Sequence, residues 1–176
     1  MGIDSRIEFY RAAILKEGIA TFEVDFKSGI YSSPLNRPHP SAFVPMVFAA
    51  LKELRKLPSI DPDRIGVMGY SLGGHMAVDA AFEANRKPWM GDEKGFAAHV
   101  AFYPAFKRLL HEKANFEVAT VEYAGALHAF NRNAPPEDHW DPVAIGHRSH
   151  TAWNADAAND SLGQVVSFLR KTLTAK

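Results

Sequence analysis

Near the amino end, apolar residues recur at helical intervals. Ile7, Tyr10, Ala13 and Ile14 follow Ser5-Arg6-Ile7-Glu8, whose serine and glutamate stand at capping-box spacing, and Gly18 can stop the helix. Residues 19–25, IATFEVD, are short, apolar and partly β-branched, as a buried strand is. The Pro-rich stretch SSPLNRPHP (32–40) then reads as a loop. Ser41 is placed to cap a helix through VFAALKELRKL, with Pro45 in the first turn, where a missing N–H is tolerated, and Pro58 closing it. After the turn IDPDR come a strand over 65–68, a helix over 72–85, a strand over 97–103 (AAHVAFY), a helix over 105–113 and a strand over 116–123 (FEVATVEY). A long loop leads to a last helix over 155–173, with Leu162, Val165, Val166, Leu169 and Leu173 on one face. Helices alternating with short apolar strands predict an α/β fold, a mostly parallel sheet with helices on both faces.

Composition narrows the function. At 176 residues, 47% apolar and 23% charged, the chain fits one packed domain spanning 1–176. Twenty basic residues against twenty acidic ones, without long blocks, leave no electrostatic footprint for nucleic acid or an anionic membrane. Neither a basic leader followed by an apolar run nor a stretch near the ~18 apolar residues of a membrane span is present, so a cytoplasmic location is the default expectation. With no cysteine, covalent catalysis and metal binding both fall to other residue types.

The stretch 65-IGVMGYSLGGHMA-77 sets Ser71 between Gly69 and Gly73, with an apolar strand before it and a helix after it. A bare G-x-S-x-G is weak evidence, arising by chance in roughly one chain in twenty of this length, but a nucleophile elbow needs this strand, sharp turn and helix, because that geometry lifts the serine Oγ above the carboxyl end of the sheet. Gly69 and Gly73 are expected to remove side chains that would collide in the turn, and Gly74 to let the helix start pack closely. The backbone N–H of Leu72 is then a candidate oxyanion donor. A serine hydroxyl needs a base, and His128 in 122-EYAGALHAFNR-132 follows the strand expected over 116–123.

The segments DPDRIGVMGYSLGGHMA, HVAFYP, VEYAGALHAFNR and GHRSHTAWNADAANDSLGQVVSFLRKTL resemble the dienelactone hydrolase family of the α/β-hydrolase fold, and KEGIATFEVDF with FAALKELRKLPSIDPDR extends the likeness over most of the chain. Many members carry cysteine where this chain has Ser71, which is closer to the serine esterase branch. The resemblance implies an α/β-hydrolase-like sheet, truncated here, because the strand and oxyanion loop before KEGIATFEVDF and the acid-bearing strand after AFYP have no counterpart. No triad acid is assigned, and of the two oxyanion donors only Leu72 N–H is assignable. Two such gaps would leave backbone groups unbonded, so either the chain is part of a larger protein or the four strands left re-pair, as is expected, 19–25 on the elbow strand and 97–103 on 116–123. That would shift His128 relative to Ser71, leave no carboxylate within reach of His128, and make hydrolysis by the chain alone weak or absent.

Other candidates carry less. His139 with Asp138 and Asp141, and His147 with His150, match no ordered metal motif, and PPEDHWDP reads as a polar loop. His75 and Asp79 share a helix face as a local pair, and Tyr103 and Phe130 stand where a pocket could be lined. The expected function is cleavage of a small-molecule carboxylic ester or lactone through an acyl-enzyme on Ser71, with His128 as base and with no cofactor or metal. The alternative is a non-catalytic hydrolase-like domain without a complete triad. Oligomeric state is left open.

Overall fold

The computed structural model describes residues 5–25, 40–104, 116–141 and 147–174. In chain order the elements are α1 (Ser5–Lys16), a 3-10 turn (Pro40–Phe43), α2 (Val44–Arg55), β1 (Gly66–Tyr70), α3 (Leu72–Asp79), α4 (Glu83–Met90), β2 (Ala98–Phe102), β3 (Glu137–Asp141), β4 (His147–Thr151) and α5 (Ala155–Leu173). The chain forms two compact units, Met1–Thr21 with Ala119–Arg170, and Phe22–Val118 with Lys171–Lys176. The Pro-rich stretch over 32–39 and the helix expected over 105–113 lie outside the described residues.

The second of these units carries a parallel pair of strands. β1 and β2 run in register from Gly66 opposite Ala98 to Tyr70 opposite Phe102, and α3 packs across both. Val44, Val47, Phe48 and Leu51 recur at helical spacing along α2 and bury against Ile65, Met76, Ala80 and Met90. Arg55 ties the end of α2 to the loops beside it, donating through Nε to the Pro62 carbonyl (3.1 Å) and through a terminal nitrogen to the Gly95 carbonyl (3.2 Å). The turn before β1 is held by Asp61, whose carboxylate accepts from the Asp63 N–H and from Arg64.

Several sequence expectations are corrected here. Residues 19–25 and 116–123 form no strand, and Phe22 and Val121 are exposed at 65% and 52%. An apolar, β-branched composition gives a segment the capacity to pair, but only a neighbouring strand makes a ladder. Among the described residues the elbow strand pairs with β2 alone, so the expected four-stranded pairing does not form. The helix over 72–85 is two helices: α3 ends at Asp79, Phe82 takes an extended conformation (ψ 130°), and α4 begins at Glu83. At the end of α3 the Asp79 carbonyl accepts both from the Phe82 N–H (3.3 Å) and from the Asn85 side chain (3.0 Å). At the start of α2 the cap position is Phe43, without a side-chain cap bond, and Ser41 falls inside the 3-10 turn.

In the first unit, residues 137–141 of the segment read as a polar loop form a strand. β3 pairs antiparallel with β4 from Glu137 opposite Thr151 to Asp141 opposite His147. Neither strand alternates apolar with polar residues, so the signal that marks half-buried strands is missing, and backbone bonds together with cross-strand pairs such as Asp138 with His150 hold the hairpin. α5 begins where Asn154 caps it, its Oδ1 accepting from the Ala157 N–H at 3.0 Å. Tyr10 and Ile14 of α1 and Val165 and Leu169 of α5 are all buried. No helix among the described residues is long and apolar enough to cross a membrane.

Candidate active site

Ser71 is the residue between the end of β1 and the first residue of α3, and it adopts φ 52° and ψ −113°. A side-chain-bearing residue held at positive φ is strained, and here both backbone groups fix it. Its N–H donates to the Phe102 carbonyl of β2 (3.1 Å), and its carbonyl accepts from the His75 N–H (2.9 Å). The first bond continues the β1–β2 ladder one residue past its end, and the second opens α3. Ser71 therefore stands at the carboxyl end of the parallel pair, partly exposed to solvent.

Only some of the surrounding glycines serve the turn sterically. A Cβ on Gly69 would lie 2.1 Å from the Gly73 carbonyl oxygen, and one on Gly74 would lie 2.7 Å from the Phe102 carbonyl oxygen. Both positions require glycine because backbone passes against them. Gly73 differs from the expectation, since a Cβ there meets nothing within 4 Å. It enters the steric problem as the backbone that Gly69 must avoid.

Leu72 is the first residue of α3, so its N–H has no acceptor one turn back within the helix. Its side chain packs against the apolar core that includes Met76. Tyr70, Phe102 and Tyr103 gather at the carboxyl ends of the two strands, with Tyr70 stacked on Phe102 at 4.9 Å between ring centroids. Tyr103 also has positive φ (38°), which no local pattern in the sequence marks. His75 and Asp79 lie one turn apart on α3, as their spacing implies. Below them His99 of β2, unremarked in the sequence, bonds through Nδ1 to the Ala77 carbonyl at 2.8 Å. The acceptor requires that nitrogen to carry the proton, and burial pushes the His99 pKa below its ordinary value, partly opposed by bonds to the Ala77 and Phe96 backbones.

His128 belongs to the other unit, where it bridges to Thr151 at the end of β4 and is half-buried. The chain turns sharply just after it. Ala129 has φ 57°, Phe130 N–H returns to the Leu127 carbonyl (3.1 Å), and Arg132 N–H to the Ala129 carbonyl (2.9 Å). Phe130 is buried, and its carbonyl accepts from Asn154 N–H (2.9 Å), fastening the turn to the residue that caps α5. Tyr123 packs its ring against Phe130 at 5.4 Å and donates its hydroxyl to Asp160 of α5 at 2.7 Å; burial, with Asp160 alongside, pushes the Tyr123 pKa up.

Asn131 and Tyr10 are the residues of this region that sequence reasoning missed in any site role. Asn131 is 1% exposed and donates through Nδ2 to the Tyr10 hydroxyl at 3.2 Å, and that hydroxyl lies 2.6 Å from Ser161 Oγ. Tyr10 was legible only as one member of an apolar helical stripe, and Asn131 had no signal. Among the described residues no three His, Asp or Glu side chains gather as a metal ion would require.

An alpha/beta hydrolase fold family model matches residues 12–154, which include the Ser71 turn and the His128 segment. No curated protein and no solved structure matches the chain. The match covers most of the 176 residues, and the strand, serine turn and helix stand inside it: the chain belongs to the α/β-hydrolase fold family.

Proposed function

We propose that this chain is a serine hydrolase of the dienelactone hydrolase type, cleaving small carboxylic esters or lactones through an acyl-enzyme. The observation that carries the reading is the conformation of Ser71, a positive-φ serine at the turn from a parallel strand into a helix, with glycine required at Gly69 and Gly74. Strain of this kind costs of order 1–3 kcal/mol and persists where the surroundings over-determine it, as at an exposed nucleophile.

In the proposed reaction Ser71 Oγ attacks the ester carbonyl as His128 takes its proton, and the carbonyl oxygen becomes an oxyanion that accepts from Leu72 N–H. Collapse of this adduct breaks the carbon–oxygen bond to the leaving alcohol, which takes the proton from His128. With a lactone the leaving hydroxyl stays tethered to the acyl group. Water then attacks the acyl-serine, giving its proton to His128, and the carboxylic acid leaves as Ser71 regains its proton. No cofactor enters the scheme.

A fluorophosphonate probe tests the first step. The chain should label at one site, with labelling lost in Ser71→Ala and reduced by a factor of about a hundred or more in His128→Ala, and the double variant should be no worse than Ser71→Ala alone. Labelling that survives Ser71→Ala would put the nucleophile elsewhere. An unlabelled parent chain would favour the non-catalytic alternative. Turnover of p-nitrophenyl acetate against dihydrocoumarin would then separate ester from lactone preference.

A further inference from the structure

We propose that Tyr10 and Asn131 are positioning residues for His128, acting through a buried, one-directional chain of hydrogen bonds that ends on Ser161. This rests on the reading of His128 as the catalytic base. Its direction follows from counting protons. Ser161 Oγ donates its single hydrogen to the Ala158 carbonyl (2.9 Å), so toward Tyr10 it can only accept. The Tyr10 hydroxyl is therefore the donor in the 2.6 Å contact with Ser161, which leaves its oxygen free to accept from Asn131 Nδ2 at 3.2 Å. Asn131 thus gives to Tyr10, Tyr10 to Ser161, and Ser161 to the α5 backbone.

All three side chains are nearly sealed from water, with Tyr10 at 0%, Asn131 at 1% and Ser161 at 4% exposure. A buried polar group left without its partner is expensive, so the chain holds one arrangement and resists sliding. Asn131 lies three residues beyond His128, in the turn that carries Ala129 at φ 57°. Among the contacts that fasten that turn are His128 to Thr151, the Phe130 carbonyl to Asn154 N–H, and the Asn131 side chain to Tyr10. The first two are backbone contacts. The third ties a side chain of the turn to Tyr10 of α1, and a small displacement of a catalytic group costs far more in rate than in stability.

The test pairs a physical readout with a chemical one on the full chain. Histidine-ring NMR follows the His128 signal and its titration, and fluorophosphonate labelling follows the rate at Ser71 against pH. Tyr10→Phe and Asn131→Ala should each broaden or split the His128 ring signal and move its titration midpoint, leave the His99 signal in place, and slow labelling about ten- to a hundred-fold. Ser161→Ala, which removes only the last link, should show the same changes in smaller measure and serves if either first variant fails to fold. Leu169→Ala, a buried apolar truncation on α5, should lower the melting temperature without moving the His128 midpoint. An unaltered His128 signal and an unaltered labelling profile in Tyr10→Phe and Asn131→Ala would overturn the proposal, as would equal changes in Leu169→Ala. If the ring signal responds while the parent chain never labels, the positioning holds and the hydrolase reading fails.

Discussion

Ser71 concentrates the residue-scale physics of this molecule, because its backbone conformation suits glycine while its side chain is the proposed nucleophile. Ser71→Gly should stabilise the fold by about 1 kcal/mol relative to Ser71→Ala, which keeps the strain, as read from chemical denaturation; both should abolish labelling. A Ser71→Gly no more stable than Ser71→Ala would mean the turn is not strained. The two glycines of the motif should part company in the same assay. Gly69→Ala drives a methyl into the Gly73 carbonyl and should cost about 3 kcal/mol, whereas Gly73→Ala meets open space on a helix and should be neutral or stabilising by up to ~1 kcal/mol. Equal losses at both positions would contradict the steric account. The G-x-S-x-G spacing was legible in the sequence, but which glycine carries the steric constraint was not, since that depends on which backbone passes within 3 Å.

Among the elements, helices with a clear apolar stripe were read well and strands were not. α5 runs from Ala155 to Leu173 as its periodicity implies, because each residue's place on the stripe depends on neighbours three and four positions away. β3 and β4 had no such local mark, and 19–25 had the mark but forms no strand. The start of α5 was legible in its periodicity while its cap was not singled out. Asn154 satisfies Ala157 N–H through its side chain and holds Phe130 through its own N–H. Asn154→Ala should therefore cost about 1 kcal/mol, while Asn154→Ser or Asn154→Asp should restore most of it, measured by urea unfolding. A cost below ~0.3 kcal/mol would show that the cap contributes nothing measurable to α5.

For the whole molecule, the dependence of stability on pH turns on buried titratable groups. His99 sits in β2 with its pKa below the ordinary 6.5, chiefly through burial. As pH falls through 6.5 the unfolded chain takes up a proton that the folded chain refuses. Stability is thus full above that value and is lost as pH falls toward the folded-state pKa. The melting temperature should drop between pH 7 and pH 5, and His99→Gln should flatten that slope even if it lowers the plateau. An undiminished slope in His99→Gln would assign the acid sensitivity to other groups. At the opposite end, burial raises the Tyr10 pKa, opposed by its bonds to Ser161 and Asn131. Ionisation of the unfolded chain above its ordinary 10.0 then weakens the fold as pH rises further.

By itself the sequence determined the α/β class, the three helices with apolar stripes, the parallel-type strands on either side of α3, and the strand–serine–helix order that marks the candidate nucleophile. These follow from local preference, steric demand over a few residues and spacing, all of which a linear pattern records. Only the tertiary structure decided that 19–25 and 116–123 form no strand, that two polar segments pair antiparallel, and that Asn131 donates to a tyrosine 121 positions away, which in turn donates to a serine 151 positions away. Strand pairing and the satisfaction of buried polar groups are contacts between distant parts of the chain, and their stability depends on which partner arrives, a quantity no local window contains.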